Sequence, residues 1–337
     1  MLLDKLSKTF IIAEIGNNHE GDFNLAKKMI SLAADAGADA VKFQTINPEL
    51  LVSYDLTERI QQLESFQLSL DEFSKLSAYA KESNILFFST PFDIDSAIFL
   101  NKIQPIFKIA SGDNTFYPLI DKICDFGKPL IISTGLSDKE NIDKIYSRIL
   151  DNWKNKKIKS TLSLLHCVSS YPVPDDEANI SVISKLIKQY PNAIIGYSDH
   201  TIGKEAALCA VSLGAKIIEK HFTIDKNYSD FRDHQLSADP TEFSDLVKSI
   251  RRIEKIKGNG KIKIRDCEKD ISSQIRRSIA AKTKLDKDYL ITMNDLIYVR
   301  PGSGISPGNE DLLVGKRTNK SIEKGQIILL NDIYNKL

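Results

Sequence analysis

From Phe10 onward the chain alternates between two hydrophobic rhythms. Short runs of consecutive apolar, often β-branched residues give way to longer stretches in which apolar residues recur every three or four positions. Unbroken apolar runs suit strands buried on both faces, whereas the longer period suits helices with one buried stripe. The runs predict strands at Phe10–Ile15, Ala40–Thr45, Ile85–Thr90, Ile106–Ala110, Pro129–Thr134, Thr161–His166, Ala193–Gly196 and Lys216–His221. The longer period predicts helices at Asn24–Ala36, Leu70–Glu82, Ile94–Lys102, Asp138–Asp151, Ser181–Gln189 and Lys204–Leu213. Gly37, Gly127 and Gly214 each follow a helical stretch and precede a strand, where a helix stop is expected. Eight such units predict an α/β fold with a closed parallel barrel. A doubly wound open sheet is the competitor, but it rarely needs so many regular units.

A further helix is expected at Pro240–Ile256, ending at the turn signal Gly258-Asn259-Gly260. Polar sequence then runs through Lys261–Asp270. From Ser273 the texture changes to short strands and turns, including Pro301-Gly302, Pro307-Gly308 and Lys324-Gly325. The expected organisation is a barrel over residues 1–258, a linker over 259–274 and a small β-rich domain over 275–337. There is no internal repeat at solenoid spacing and no low-complexity tract.

Composition narrows the function classes. With 46 basic and 45 acidic residues among 337, the formal net charge of +1 provides no global field for nucleic acid or an anionic membrane. No apolar run reaches the length of a bilayer span, and Met1–Phe10 carries charges where a signal peptide needs apolar residues. Cys124, Cys167, Cys209 and Cys267 form no CxxC pair; three of them read as small core residues, and a reducing cytoplasm is the expected compartment.

The candidate chemistry lies at the C-terminal ends of the eight strands, the active-site face of such a barrel. In order these ends carry Glu14, Lys42 with Gln44, Thr90, Lys108 with Ser111, Ser133 with Thr134, His166, Ser198 with His200, and His221. Every strand delivers a polar group to one rim. The five histidines, His19, His166, His200, His221 and His234, all fall on or just after an expected strand end. A single histidine in such a place is more often a hydrogen-bonded structural residue. His200 and His221 differ, because neighbouring strands bring them side by side. As neutral imidazoles they suit a catalytic divalent transition metal with open positions. Lys42 and Lys108 end apolar strands, where a charge is costly unless it meets an anion. They are either barrel lysines satisfied by Glu14 and Asp113, or one wall of an anion pocket to which Thr90, Ser111 and Ser198 add hydroxyls. The chain has no GxxxxGK[ST] or GxGxxG loop for nucleotides.

At these positions the chain resembles the sialic acid synthase family, comprising N-acetylneuraminate, legionaminate and pseudaminate synthases. The matching stretches are AEIGNNHEGD (13–22), GADAVKFQT (37–45), FFSTPFD (87–93), FKIASGD (107–113), PLIISTG (129–135), LLHCVSSYPVP (164–174), IGYSDHTIG (195–203) and IEKHFT (218–223). VRPGSGISP (299–307) resembles the family's C-terminal antifreeze-like, or SAF, domain. The resemblance implies a (β/α)8 TIM barrel followed by a SAF domain. It also implies condensation of phosphoenolpyruvate with an open-chain N-acetylmannosamine-type sugar. The first expectation is an N-acetylneuraminate synthase, with a legionaminate or pseudaminate synthase as the alternative.

By the same resemblance, His200 and His221 hold Mn²⁺, with Mg²⁺ or Co²⁺ as alternatives. Lys42, Thr90, Lys108, Ser111, Ser169 and Ser198 form the phosphoenolpyruvate pocket. Glu14, Gln44, Tyr171 and Asp233 contact the sugar or metal-bound water, and Arg300 reaches a partner's barrel in a domain-swapped homodimer. Without the resemblance, Arg300, Tyr171 and Asp233 read as ordinary loop residues. Two departures bear on the product: Asp113 stands where many relatives have Glu, thought to orient water, and Arg232 precedes Asp233-His234 where relatives often read GPDH. The competing classes are a metal-dependent hydrolase or aldolase barrel and a carbohydrate-binding protein. A hydrolase usually shows an early HxH pair, and residues 10–20 offer only His19. A binding module leaves eight polar strand ends unexplained.

Overall fold

The computed structural model describes Leu3 and residues 6–334, without the Arg232 side chain. The rest of the first five residues, and the last three of the expected 275–337 domain, lie outside the described residues. The chain divides into two units, Met1–Gly258 and Asn259–Leu337. Gly258 and Gly260, at the junction, both have positive φ, a conformation that glycine adopts without steric cost.

The first unit is the expected (β/α)8 barrel. Its parallel strands are β1 (Phe10–Gly16), β2 (Ala40–Thr45), β3 (Leu86–Pro91), β4 (Phe107–Ile109), β5 (Leu130–Ser133), β6 (Leu162–Cys167), β7 (Ala193–Asp199) and β8 (Ile217–His221). Hydrogen-bonded neighbours run β3-β2-β1-β8-β7-β6-β5-β4. The seam between β3 and β4 is bridged by a side chain. Gln104 accepts from Ser89 N at 2.7 Å and donates to Ser89 O at 3.2 Å, so its buried carboxamide satisfies the free edge of β3.

Strand alternation splits the apolar residues into two cores. Phe10, Ile12, Ala40, Phe88, Ile106, Ile131, Leu165 and Ile217 fill the barrel interior. Their neighbours of opposite parity, including Ile11, Val41, Phe43, Phe107, Ile132, Leu164 and Ile218, pack against the helices. Full burial of each of the larger side chains, Val, Leu, Ile or Phe, stabilises the fold by about 1.5–3 kcal/mol.

β7 runs past Gly196, where the sequence reading ended it. A Cβ there would stand 2.5 Å from Leu165 Cδ2 and 2.6 Å from Ile217 O, so this glycine marks close approach of neighbouring strands and not a turn. At Gly37, Gly127 and Gly214 the expected helix stops are present, with φ of 89°, 68° and 115°.

Three helices of nine or more residues escaped the periodicity reading, as did the single turns Pro48–Leu51 and Arg232–Leu236. Tyr117–Asp125 contains Pro118, which reads as a breaker but sits in the first turn, where its missing N–H costs nothing. Thr57–Ser65 buries only Leu63. Asp266–Ile275 buries no residue, so the expected linker is in part a helix that hydrophobic period cannot detect. In the second unit, Ser278–Ala281 and Leu296–Val299 pair antiparallel. They share a core of Ile279, Leu285, Ile291, Leu313, Ile322 and Ile328.

Candidate active site

Two residues beyond the last interior apolar position of a strand, the same face turns polar. Ile12 leads to Glu14, Ala40 to Lys42 and Gln44, Ile106 to Lys108, Ile131 to Ser133, Leu165 to Cys167, and Ile217 to Glu219 and His221. The period of a strand thus carries the inward face from an apolar floor to a charged cleft. Eleven of the expected residues line this one cleft: Glu14, Lys42, Gln44, Lys108, Ser111, Ser133, Tyr171, Ser198, His200, His221 and Asp233.

The floor is a chain of buried charges. Lys42 Nζ lies 2.9 Å from Glu14 Oε2 and 3.8 Å from Glu219 Oε2, and Lys108 Nζ lies 3.5 Å from Glu219 Oε1. All four side chains are at most 6% exposed. Ser198 donates to Glu219 at 2.9 Å, Lys42 to Thr90 at 3.1 Å, Gln44 to Glu14 at 3.1 Å, and Asn17 to Gln44 at 3.2 Å. Burial raises both carboxyl pKa values. At Glu14 burial prevails over Lys42, and the pKa is raised to about 7. At Glu219 the two ammonium groups and Ser198 prevail, and the pKa is lowered to about 2. Burial also lowers the Lys108 pKa, an effect Glu219 only partly offsets. Lys42 is held above its usual value because Glu14 and Glu219 outweigh its burial.

Beside the floor stand the two histidines, with ring centroids 5.3 Å apart. His200 Nδ1 donates to Val168 O at 2.8 Å, which turns Nε2 away as the free nitrogen. His221 Nδ1 is buried and has no hydrogen-bond partner. Burial, His200 and Lys42 push the His221 pKa well down, so it presents a neutral imidazole. Tyr171 packs against both rings, at 4.3 Å from His200 and 6.0 Å from His221. Among the described residues no cluster of three His, Cys, Asp or Glu is arranged to hold a metal; the imidazoles form a pair.

The expected lysine partners were Glu14 and Asp113; the observed ones are Glu14 and Glu219. Asp113 follows β4 on a short 3-10 turn and does not line the cleft. Its Oδ2 is buried without a hydrogen-bond partner, and burial raises its pKa to about 6. Thr90 reaches the floor only through Lys42. Ser169 lies next to Ser111: a Cβ on Gly135 would stand 2.4 Å from Ser169 Oγ and 2.6 Å from Ser111 Oγ. Arg300 belongs to the second unit, at the end of its second strand.

His166 and Thr134 do not face the cleft. His166 has outward parity, stacks on Tyr197 at 5.7 Å and bonds Ala178 O at 2.9 Å, while Cys167 takes the inward place. His19, in the turn after β1, and His234, in the short helix Arg232–Leu236, are buried away from the cleft lining. Only Cys124 and Cys167 are buried; Cys209 and Cys267 are exposed, so two cysteines and not three belong to the interior.

Sequence reasoning missed Glu219, Asn17, Arg59 and Phe231, all of which line the cleft. Glu219 carried a usable signal: it stands two residues before His221 on one strand and therefore shares its face. Arg59 had none, because its helix buries almost nothing. The lining holds three cations (Lys42, Lys108, Arg59) and three carboxylates (Glu14, Glu219, Asp233).

Comparison with known proteins adds a second line of support. Residues 29–262 match the model of the NeuB family, and residues 276–333 match the SAF domain. An uncharacterized protein of Methanocaldococcus jannaschii is 42% identical over 328 residues, covering 96% of this chain and 94% of its own. The N,N'-diacetyllegionaminic acid synthase of Campylobacter jejuni is 38% identical over 337 residues, covering 96% and 99%. The crystal structure of an N-acetylneuraminic acid (sialic acid) synthetase from Leptospira borgpetersenii, in complex with citrate, superposes with a TM-score of 0.73. It is 41% identical and covers 78% of this chain and 90% of its own. No described helix is long and apolar enough to cross a membrane.

Proposed function

The chain belongs to the NeuB family of sialic, legionaminic and pseudaminic acid synthases, and on that premise we propose that it condenses phosphoenolpyruvate with an open-chain 2-acetamido hexose. The products are a nine-carbon 2-keto acid and inorganic phosphate. The observation that carries this reading is the buried Glu14–Lys42–Glu219–Lys108 chain lying beside a pair of histidines in one cleft.

In this reading Lys42 and Lys108 hold the carboxylate and phosphate of phosphoenolpyruvate, with hydroxyls from Thr90, Ser111, Ser169 and Ser198. Low-dielectric surroundings strengthen those contacts. His200 and His221 hold a divalent ion, Mn²⁺ before Mg²⁺ or Co²⁺. Two fixed imidazoles and a lining of zero formal charge fit such an ion, because a bound trianion leaves excess negative charge to neutralise. When bound, the ion supplies Lewis-acid polarisation of the acceptor carbonyl.

Tyr171 and Asp233 orient the acceptor so that its aldehyde carbon meets C3 of phosphoenolpyruvate. Once that bond forms, C2 becomes electron-poor and water adds there. Glu14, with a pKa of about 7, takes the proton from that water and returns it to the alkoxide left by the aldehyde. The new C2 hydroxyl then gives its proton to the departing phosphate as the C2–O bond breaks, leaving the 2-keto acid and hydrogen phosphate. Asp113, off the cleft wall, is assigned no step. Arg300 is assigned to the barrel cleft of a partner subunit, in a domain-swapped homodimer operating in the cytoplasm.

The test mixes purified protein, Mn²⁺, phosphoenolpyruvate and a panel of 2-acetamido and 2,4-diacetamido hexoses, and measures phosphate release. Release that requires both an acceptor and the metal is expected; no release with any acceptor would falsify the reading. The lowered pKa of buried Lys108 also suits a Schiff-base aldolase. Borohydride trapping of a substrate adduct would favour that alternative. Mixed dimers of an Arg300→Ala chain and a barrel-site mutant should regain activity if the site is shared between subunits.

A further inference from the structure

The segment between β8 and the next long helix leaves the barrel and returns, closed at its base by backbone pairing. Thr223 N donates to Ala238 O at 3.1 Å, and Ala238 N donates to His221 O at 2.8 Å. Between these points the excursion carries Phe231 and Asp233 into the cleft lining. Its side-chain anchors come from elsewhere in the chain. His234, fully buried, contacts Glu20 Oε1 through Nε2 at 3.1 Å and Thr223 Oγ1 through Nδ1 at 2.6 Å. Ser229 Oγ donates to the same Glu20 oxygen. Phe231 packs edge-on against Phe66 at 5.0 Å.

Glu20 therefore gathers two points of the excursion, on either side of Phe231, onto the loop that follows β1. Its own backbone is unfavourable for a glutamate: φ is 47°, in the left-handed region where glycine would be less strained. A side chain held there against that cost implies that its carboxylate is the reason for its presence.

We propose that Glu20 is a positioning residue. Through His234 and Ser229 it fixes the Phe231–Asp233 segment at the acceptor end of the cleft, and so it governs binding of the acceptor sugar and not of phosphoenolpyruvate. The inference rests on the reading above that Asp233 faces the acceptor. A misplacement of about 1 Å in a positioning element costs up to about a hundredfold in rate, so loss of the carboxylate should be visible in kinetics.

The experiment compares Glu20→Gly, Glu20→Gln and Ser229→Ala with wild type in steady-state phosphate release, varying each substrate in turn, alongside urea denaturation. Glu20→Gly relieves the backbone strain, about 1–2 kcal/mol, but removes the partner of buried His234, so stability changes by no more than about 2 kcal/mol while the acceptor KM rises about tenfold. The KM for phosphoenolpyruvate stays within about twofold, since Lys42 and Lys108 do not depend on this segment. Glu20→Gln, which keeps an acceptor oxygen, recovers most of the loss, and Ser229→Ala shows a smaller effect of the same kind. In an Asp233→Ala background Glu20→Gly adds nothing further.

Equal rises in both KM values, additive effects with Asp233→Ala, or a stability loss with unchanged KM would overturn the proposal. If wild type turns over and Glu20→Gly leaves the acceptor KM unchanged, the positioning role alone fails. If wild type releases no phosphate with any acceptor, the synthase reading fails and takes this inference with it.

Discussion

Replacing Glu219 by glutamine removes the one charge shared by both buried lysines while keeping the side chain's shape. Lys42 retains Glu14 at 2.9 Å, but Lys108 retains no other ion pair among the described residues. At 3.5 Å and an effective dielectric constant near 20, the lost attraction is about 5 kcal/mol. Measured losses for breaking one half of a buried pair are of the same order, about 3–5 kcal/mol. Glu219→Gln should therefore lower the unfolding free energy by about 3–5 kcal/mol in urea at pH 7. An anion should then offset the uncompensated ammonium of Lys108. Saturating inorganic phosphate should stabilise the variant more than wild type, with roughly tenfold tighter binding, about 1.4 kcal/mol. Adding Lys108→Met should restore part of the lost stability, because an apolar pair carries no desolvation cost. The reasoning is refuted if Glu219→Gln costs less than 1 kcal/mol, or if phosphate stabilises variant and wild type equally.

Other outcomes follow from the same geometry. His19 is buried and its pKa is lowered from 6.5 to about 4, with burial the main cause. Between those values the unfolded chain binds more protons, so stability is full above pH 6.5 and falls as pH drops towards 4, by about 3 kcal/mol in all. His19→Gln should flatten that slope in urea melts across the range, and an unchanged slope would exclude His19 as its source. Gln104→Ala leaves the two Ser89 backbone groups unsatisfied at the barrel seam and should cost about 2–4 kcal/mol by the same measurement. Arg59→Ala, at the cleft wall beside Phe231 of the proposed acceptor end, should raise the acceptor KM about tenfold; an unchanged KM removes Arg59 from the acceptor site. His221→Ala should abolish Mn²⁺ binding in calorimetry while leaving the urea midpoint near wild type, and retained binding would remove it from the ligand set.

The sequence alone determined the eight-stranded barrel and most of the polar residues that line its cleft. Parallel strands covered on both faces appear as unbroken apolar runs, and a polar residue ending such a run must lie at the rim. Glu14, Lys42, Lys108, His200 and His221 were legible for that reason. The helices Thr57–Ser65 and Asp266–Ile275 were not, because they bury little and carry no hydrophobic period.

Tertiary structure decided which of two adjacent polar residues faces inward. Cys167 enters the cleft and His166 does not; Glu219 pairs with Lys108, while Lys220 turns outward to Asp199 at 2.9 Å. A strand places successive side chains on opposite faces, and only the register with its neighbours sets which face is inside. Gly196, read as a strand end, lies within β7 because Leu165 and Ile217 leave no room for a side chain. The contacts from Glu20 to Ser229 and His234 span more than two hundred residues, a distance no local pattern encodes. Hydrophobic periodicity records how much of each element is buried. The partner that each buried polar group meets depends on chain closure, and that is set only when the barrel forms.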